Sequence, residues 1–407
     1  NTVLGDKMNL KSKFKREYAF SFLVWWIWAQ IFLTQYVRAV IMRFPIIGKY
    51  PDAILTIAFM ALVFAALPDF RFESFDLAFL FVITGALLCQ RILKQETQEY
   101  LDEYIVSFVL EILPLYMVGL NLGQNENCEE IIDVMYRLSI ITLLADIAYK
   151  IMSGTPMDTV TSQYVGDMDR AYKILPHCCL IAYYAIKKTT VVNICLTIVG
   201  GVYILLLGTR GAALIYLLFL AVVFVIGKRN KKVIFRMSLI AAAVAYFFTS
   251  PLYLTTVKWF YNLAKRFGLS IRIFDKLLKG SINAQSGRDT IREKMLNAIA
   301  NGPVFGYGIY GDRALLNGGY SHNLVIELWV EFGVIIGTAI LLAIIAVLFR
   351  GYMCAKKECE KGLILLLIFV SFFKLFLSGS YLNESFLYLL FGLCAHSIRN
   401  FKRSQIS

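Results

Sequence analysis

The side chain in this sequence best suited to acid–base chemistry at neutral pH is also among its rarest. His322 is one of only three histidines in 407 residues, and it stands where a polar loop becomes apolar, in GGYSHNLVIELWVEFGVIIG (318–337). A neutral imidazole, with an ordinary pKa of about 6.5, can take a proton from a hydroxyl group. Position alone leaves two interpretations open: His322 is a general base, or it is a polar residue at a helix end.

The helix predicted to follow His322 carries a polar stripe. Asn323, Glu327 and Glu331 occupy positions i, i+4 and i+8, which lie on one face of a helix. The other faces are covered by apolar residues, among them Leu324, Leu328 and Trp329. His322 therefore belongs to the first turn of a helix with one polar face.

Arg210 is a second candidate, because it interrupts two apolar segments in LLLGTRGAAL (205–214). A charge between membrane spans is costly unless it faces a polar interior or a partner. The alternative is a loop arginine that contacts lipid phosphate. Other ionisable residues inside apolar segments are Glu111, Asp146 and Lys374, of which the last two could pair with each other.

A long basic segment, 250–322, supplies more arginines. Its ten Lys/Arg against four Asp/Glu give a net charge of +6. Ser286 with Asp289 three residues later resembles a capping box, which predicts a helix ending near Asn301. Five residues of this helix share one face: Arg288, Ile291, Arg292, Met295 and Ile299. Arginines on an otherwise apolar face predict an anionic ligand, and the alternative is that solvent surrounds them.

Two other parts of 250–322 have recognisable patterns. The residues Trp259, Phe260, Leu263, Phe267 and Ile271 recur at helical spacing among lysines. This pattern predicts a helix over 252–278, lying on the membrane surface or packed on the protein. The glycine-rich stretch GYGIYG (306–311) permits tight turns. It is not a phosphate loop, because no strand precedes it and no Gly-Lys-Ser/Thr follows it.

The amino-acid composition predicts that the chain is a membrane protein. Hydrophobic residues make up 58% of the chain, charged residues only 17%, and the mean hydropathy is +0.65. A span needs about 20 mostly apolar residues, and the candidates are 19–37, 52–68, 75–92, 102–121, 131–152, 172–186, 190–207, 211–227, 233–249, 329–349, 362–378 and 383–398. The predicted fold is an all-α polytopic protein: a single membrane domain, 1–407, with about twelve transmembrane helices and a large, partly helical extracytoplasmic loop, 250–322.

Short basic loops predict the orientation of these spans. The amino terminus, Lys187–Lys188, the run KRNKK at 228–232, the segment 350–361 and the basic carboxyl tail all fall on one side of the twelve-span topology. That side is predicted to be the cytoplasm. Arg210 and residues 250–322 are then on the outer side of the membrane.

Two other classes of function are disfavoured. The net charge of +13 does not predict nucleic-acid binding, because topology accounts for the basic clusters and no aromatic-rich soluble module could contact bases. The eight cysteines show no zinc spacing, and His177, Cys178 and Cys179 are adjacent residues in an apolar span. Packing explains that triplet better than metal binding does. No metal and no cofactor is therefore predicted.

Three motifs occur in a fixed order along the chain. They are GTRGA around Arg210, GRD…A…NGPVFGYGIYGDR from 287 to 313, and SHNLVIELWVEFGVIIG from 321. Together they resemble the O-antigen ligase/polymerase superfamily of bacterial surface-glycan enzymes. The resemblance is concentrated in 205–340, and the rest of the chain agrees in hydropathy only. The GDR motif, with a tyrosine before the His-Asn pair, is more similar to polymerases than to ligases.

The resemblance implies transfer of a glycan from undecaprenyl diphosphate to a sugar hydroxyl, outside the bacterial cytoplasmic membrane, without a nucleotide sugar or a metal. In such families two arginines bind the diphosphate and a loop histidine assists the acceptor, which carries over to Arg210, Arg288 and His322. Arg313, in GDR, is a further candidate for the diphosphate. The expected partners are the lipid-linked glycan substrates and membrane lipids, and a polysaccharide chain-length regulator is a candidate partner.

The chemistry of these side chains agrees with that function. Guanidinium groups can stabilise a diphosphate leaving group without a metal, and one-step displacement predicts inversion at the anomeric carbon. No carboxylate pair of glycosidase type is evident in 250–322, which argues against hydrolysis.

Three functions stay open, beside a purely structural role in the membrane. The preferred one is polymerisation of repeat units into an O-antigen or capsular chain. The second is ligation of the finished glycan to lipid A-core or another acceptor. The third, from a different class, is a lipid-linked oligosaccharide flippase or other transporter, although transporters usually show internal repeats and a site at the bilayer midplane.

Overall fold

The computed structural model describes residues 19–44, 47–70, 73–123, 128–153, 162–207, 209–227, 251–266, 278 and 288–406. Within those ranges all regular structure is helical. The longer helices, in chain order, are α1 Ala19–Trp28, α2 Pro51–Ala66, α3 Ser74–Leu93, α4 Gln98–Ser107, α5 Leu113–Leu122, α6 Cys128–Ser153, α7 Ser162–Lys187, α8 Val191–Leu206, α9 Arg210–Gly227, α10 Pro251–Arg266, α11 Arg288–Asn301, α12 Gly311–Leu315, α13 Leu324–Cys354, α14 Glu358–Leu367 and α15 Ser385–Ile406.

Shorter helical pieces join some of these helices. Leu33–Val37, Phe108–Ile112 and Ile368–Phe373 are π-helical, and Gln30–Phe32 and Arg38–Ile41 are short α-helical pieces. Single turns of 3₁₀ helix lie at Ile47–Lys49, Leu67–Asp69, Gln95–Thr97 and Tyr381–Asn383. The π-helical piece between α4 and α5 makes one continuous helical stretch of them.

Apolar periodicity predicted the helices well and their boundaries less well. Every predicted span falls on helical structure except 233–249, which lies outside the described residues. The predicted span 172–186 is part of a longer helix, because α7 begins at Ser162. The segment 250–322 is partly helical, as predicted, since it contains α10, α11 and α12. Of the predicted helix 252–278, residues 267–277 lie outside the described residues.

Three helical stretches among the described residues are long and apolar enough to cross a membrane: Asp76–Leu93, Gln95–Leu122 and Leu324–Cys354. Shorter apolar helices are α1, α2, α8 and residues Arg210–Ile226 of α9. Large apolar side chains on these helices point outwards, for example Phe81 at 80% and Ile335 at 77% exposure. Such surfaces suit lipid rather than water. The chain is therefore an integral membrane protein, while its twelve-span topology and outward-facing loop stay predictions.

The chain divides into two compact units: residues 1–134 with 285–407, and residues 135–284. In the first unit α5 and α15 approach closely at two glycines. A Cβ atom at Gly119 would lie 2.2 Å from the carbonyl oxygen of Leu389, and one at Gly392 would lie 2.2 Å from that of Tyr116. Small residues at such crossings let the helix backbones pack directly against each other.

In the second unit α7 packs against α8 and α9. Asp146 of α6 lies 3.4 Å from a guanidinium nitrogen of Arg170 and accepts a 2.8 Å hydrogen bond from the hydroxyl of Tyr203. Lys374, in the first unit, contacts Glu384 at 2.5 Å. Each charge thus has an opposite partner in its own unit, as charges buried among helices require. The suggested pairing of Asp146 with Lys374 is not needed to explain either residue.

Candidate functional site

The candidate site in the first unit is organised by a break in α13. Gly333 has φ 74° and ψ 165°, which is not helical. Just before the break, the carbonyl oxygens of Val330 and Glu331 accept 2.8 Å hydrogen bonds from the amides of Tyr307 and Gly308. The glycine-rich stretch 306–311 is therefore fixed to the helix by backbone hydrogen bonds.

Glycine is required on both sides of this contact. A Cβ atom at Gly333 would lie 1.9 Å from the carbonyl oxygen of Val304, and one at Gly306, where φ is 73°, would lie 2.5 Å from that of Glu331. Glycine alone adopts positive φ at low cost and leaves room for such an approach. These two glycines let the loop lie directly on the helix.

Helix α11 lies on the same part of α13 through its apolar side chains. Met295 is fully buried against Ile326 and Val330, with Ile291 and Ile299 packed at the edge. The apolar part of the predicted face is thus confirmed. Arg292, which was predicted on the same face, is exposed.

Arg288 is half-buried and is the first residue of α11. Its Nη1 donates a 2.9 Å hydrogen bond to the carbonyl oxygen of Leu377. Among the described residues no carboxylate pairs with it. Its positive charge is therefore held in place by a neutral acceptor, and the described part of the chain supplies no carboxylate to compensate it.

His322 lies in a strained turn before α13. Its φ is 57°, and its ring contacts the Tyr320 ring at a centroid distance of 3.8 Å. Nδ1 is buried and has no hydrogen-bond partner among the described residues. Burial, followed by the positive charges of Arg288 and Arg313, lowers the pKa of His322 to about 4. The imidazole is consequently neutral at neutral pH.

His322 is not the cap of α13. The side chain of Asn323 accepts hydrogen bonds from the amides of Val325 at 3.0 Å and Ile326 at 3.3 Å, and its Nδ2 donates to the carbonyl oxygen of Phe376 at 3.1 Å. Asn323 therefore satisfies the first turn of the helix. Capping is the wrong explanation for His322. We call Arg288, Tyr320 and His322 the rim of the site.

Next to the rim is an ionic cluster, made of Asp312, Arg313, Glu327 and Glu331. Nη1 of Arg313 donates to both carboxylate oxygens of Asp312, at 2.9 and 3.0 Å, and lies 3.5 Å from Glu327. The guanidinium stacks on the rings of Tyr310 at 4.9 Å and Tyr320 at 5.3 Å. Arg313 is only 6% exposed, and the neighbouring carboxylates raise its pKa against the effect of burial.

The three carboxylates of the cluster are completely buried, and oxygens of all three lie within 4.8 Å of one another. Their oxygens already accept hydrogen bonds from other groups of the protein. Glu331 accepts from the Tyr310 amide at 2.8 Å and the Tyr381 hydroxyl at 2.5 Å. Glu327 accepts from the Ser380 hydroxyl, and Asp312 from the Ser321 amide at 3.0 Å.

The burial and the hydrogen bonds of these three carboxylates affect whether they can bind a metal ion or catalyse hydrolysis. Asp312, Glu327 and Glu331 form the group of described residues whose oxygens could together ligate a metal ion. Their charge is instead partly balanced by Arg313, and their lone pairs accept protein hydrogen bonds. Because all three are closed off from the surroundings, they are also poorly placed to act as the acid and nucleophile of a glycosidase.

The residues that sequence reasoning missed lie in the connection 374–385. Its backbone accepts from Arg288 and Asn323, and its side chains donate to Glu327 and Glu331. Asn383 also accepts from the Tyr310 hydroxyl at 2.9 Å. The sequence carried one signal, a run of polar residues (SGSYLNES, 378–385) between two apolar segments.

The predicted site residues are thus distributed as follows. Arg288, Arg313 and His322 come together in the first unit, with Arg288 and His322 in the rim and Arg313 in the ionic cluster. Arg210 belongs to the second unit, where it is exposed at the first residue of α9 and follows the buried Thr209. The polar stripe on α13 is real, but Glu327 and Glu331 face a protein interior rather than a surface.

Comparison with known proteins agrees with the sequence motifs. The O-antigen ligase family model matches residues 195–342, a range that includes Arg210, Arg288, Arg313 and His322. No curated protein and no solved structure matches the chain.

Proposed function

We propose, from the match of residues 195–342 to the O-antigen ligase family, that the chain is a polysaccharide polymerase. It joins repeat units carried on undecaprenyl diphosphate into an O-antigen or capsular chain at the outer face of the bacterial cytoplasmic membrane. The transfer inverts the anomeric carbon and uses no metal.

The observation that carries this proposal is the charge state of the rim. An arginine that pairs with no carboxylate of the described ranges stands near a histidine that is neutral at neutral pH. The arginine also begins a helix of 14 residues, so the positive end of the helix dipole adds to its charge. A cation that attracts a diphosphate, beside a base that can take a proton, is the pair that glycan transfer from a lipid diphosphate needs.

The reaction follows in one step. The acceptor hydroxyl oxygen attacks the anomeric carbon while the bond from that carbon to the diphosphate oxygen breaks, and the bonding electrons leave with the diphosphate. The proton of the hydroxyl passes to His322. Arg288 stabilises the charge that develops on the leaving group, and Arg210 is proposed, from the resemblance alone, to share that role.

Donor binding and base strength are coupled in this scheme. In the free protein the charges of Arg288 and Arg313 help to hold the pKa of His322 near 4, which makes it a weak base. A bound diphosphate neutralises Arg288 and adds negative charge nearby. Because an opposite charge favours the protonated imidazole, the donor raises the pKa of His322 and strengthens it as a base. The histidine then becomes effective only when the donor is present.

The match of residues 195–342 to the O-antigen ligase family favours a second candidate, an O-antigen ligase. Ligation would use the same donor and the same rim residues. The two enzymes differ in the acceptor: a further lipid-linked glycan for the polymerase, and lipid A-core or another final acceptor for the ligase.

Replacement of His322 separates these functions. A general base typically contributes about 10²–10⁴-fold to a rate, so His322→Ala should abolish chain growth while protein level and membrane insertion stay normal. A polymerase would then leave a single repeat unit on the final acceptor. A ligase would leave no glycan on the acceptor and long chains on the carrier lipid. Both patterns are visible on one glycan gel.

The matched variant His322→Gln tests the proton itself. Glutamine keeps a hydrogen-bonding side chain of similar reach but cannot take up a proton near neutral pH. It should be as defective as His322→Ala. Wild-type glycan length and amount in His322→Gln would show that the residue only orients substrate, and the assignment as base would be wrong.

A further inference from the structure

A cavity of about 300 Å³ lies in the first unit, separate from the rim and the ionic cluster. Its walls come from α1 and the helical pieces after it, from α2, and from the continuous stretch of α4 and α5. The side chains that decide its chemistry are Trp26, Gln30, Thr34, Thr56, Phe59 and Glu111.

Two π-helical pieces line this one cavity. Leu33 and Thr34 belong to Leu33–Val37, and Glu111 belongs to Phe108–Ile112. A π-helical turn is rare in proteins and occurs frequently at functional sites, because the widened turn redirects side chains. Two of them in the lining of one cavity indicate that the helices around it are shaped for a function.

The polar groups on the walls keep capacity for a ligand. The hydroxyls of Thr34 and Thr56 each donate to a backbone carbonyl at 2.9 Å, and each oxygen can still accept. Oε1 of Glu111 accepts from Ser385 at 2.7 Å and from Gln30 at 3.5 Å. Oε2 of Glu111 has no protein donor among the described residues, so a carboxylate oxygen is available to accept from a ligand.

Charge excludes a phosphate as the occupant. Two carboxylates, Asp52 and Glu111, are among the lining residues, and none of the lining residues is a lysine or arginine. The nearby Arg38 is already held by Asp52 in a bidentate pair, at 2.8 and 3.1 Å. A diphosphate would meet these carboxylates without a compensating cation.

The polar groups among the lining residues disfavour a lipid chain. A hydrocarbon occupant would leave Oε2 of Glu111 and the amide of Gln30 facing an apolar group, which is costly. A sugar ring can contact both the polar and the apolar residues that line the cavity. Its hydroxyls can donate to the carboxylate and exchange hydrogen bonds with the amide and hydroxyls, and its C–H face can pack on Trp26 or Phe59.

We propose that this cavity binds one sugar residue of the glycan substrate. The volume is at the lower end of the range of about 300–1,000 Å³ found for small-molecule sites, so it suits a single sugar rather than a whole repeat unit. The identity of the ligand as glycan rests on the proposed function. The position of the cavity supports it, because Glu111 bonds to Ser385 at the end of the connection 374–385, which also holds Arg288.

The test uses the full-length protein in lipid nanodiscs and the repeat-unit oligosaccharide of the source strain, released from its carrier lipid by mild acid. Binding is measured by saturation-transfer NMR and by titration calorimetry. Phe59→Ala removes an aromatic wall, and Thr56→Val removes one hydroxyl while keeping the shape. The matched control is Phe64→Ala, on the same helix but 62% exposed and not part of the cavity.

The oligosaccharide should bind wild type, Phe64→Ala and His322→Ala alike. Thr56→Val should weaken binding by roughly twofold to tenfold, as loss of one hydrogen bond does, and Phe59→Ala by roughly tenfold. The proposal would be overturned if the oligosaccharide did not bind wild type. It would also be overturned if both cavity variants bound the oligosaccharide as tightly as wild type does. Displacement of the oligosaccharide by farnesol or by pyrophosphate would overturn it as well. A wild-type protein that makes no polymer from lipid-linked repeat units would refute the proposed function and leave the binding result intact.

Discussion

The rim and the ionic cluster are neighbours, but the arginine in each has a different electrostatic environment. In the cluster, Arg313 is buried, bonded to Asp312, close to Glu327 and stacked on two tyrosines. In the rim, Arg288 is half-buried and its donor contact is a carbonyl oxygen. Arg313 balances charge that the protein itself supplies. Arg288 balances no carboxylate that the structure describes, and we expect its charge to be available to an anion from outside the chain.

This difference separates a structural arginine from a ligand-binding one better than sequence position does. Both residues lie in motifs of the same basic segment, and both were candidates for the diphosphate. The geometry leads us to expect that Arg313 acts on the site indirectly. It orders the turn that carries His322, through Asp312 to the Ser321 amide and through the Tyr320 ring.

The largest effect is expected on stability, at Arg313. Arg313→Ala leaves three buried carboxylates without their cation, and breaking a buried pair in this way typically costs about 3–5 kcal/mol. The variant should unfold at a clearly lower temperature in detergent and should accumulate poorly. The control is Arg292→Ala, an exposed position where a change within about 0.5 kcal/mol is normal. Wild-type thermal stability of Arg313→Ala would mean that the cluster is not an internal ion pair.

The next effect is expected on transfer rate, at Arg288. Hydrogen bonds to charged groups contribute about 1.5–3 kcal/mol, so Arg288→Ala should slow transfer by roughly 10- to 100-fold. Arg288→Lys should recover only part of the rate, because lysine offers a point charge rather than a fork. Both variants should unfold at the wild-type temperature. Full activity of Arg288→Lys would show that the mechanism needs no bidentate contact. If Arg288→Ala did not fold, Arg288 would be needed for stability rather than for binding the donor.

The smallest effect is expected at Tyr381, whose hydroxyl donates to Glu331. Tyr381→Phe leaves a buried carboxylate with one donor fewer, at a cost of about 1–3 kcal/mol. The unfolding temperature should fall slightly, and the transfer rate per folded molecule should not change. A rate that falls while stability holds would show that the cluster takes part in the chemistry.

Sequence reasoning anticipated the features that depend on local spacing. Helical periodicity located α11 and α13, and the positions of Arg288 and His322 followed from the motifs. The same periodicity identified the stripe of Glu327 and Glu331. Spacing shows which residues share a face but not what covers that face. The conclusion that the stripe is buried depends on residues far along the chain.

Features that depend on tertiary hydrogen bonds could not be predicted. Gly333 lies within the run EFGVIIG, which continues an apolar helix by composition, and only the loop at 304–308 makes the break favourable. Asp312 and Arg313 were adjacent charges in a basic segment. Their pairing with each other, and the contact with Glu327, result from packing of α12 against α13.

The central claim is that a donor diphosphate bound at Arg288 turns His322 into a stronger base. The direct measurement is an NMR titration of labelled histidine in the full-length protein, with and without pyrophosphate. Three histidines keep the spectrum simple, and His322→Gln assigns the signal. We predict a pKa near 4 for His322 in the free protein, a higher pKa in Arg288→Ala, and a rise on addition of pyrophosphate to wild type but not to Arg288→Ala. An ordinary pKa of about 6.5 in the free protein, or a titration that pyrophosphate leaves unchanged, would contradict the account.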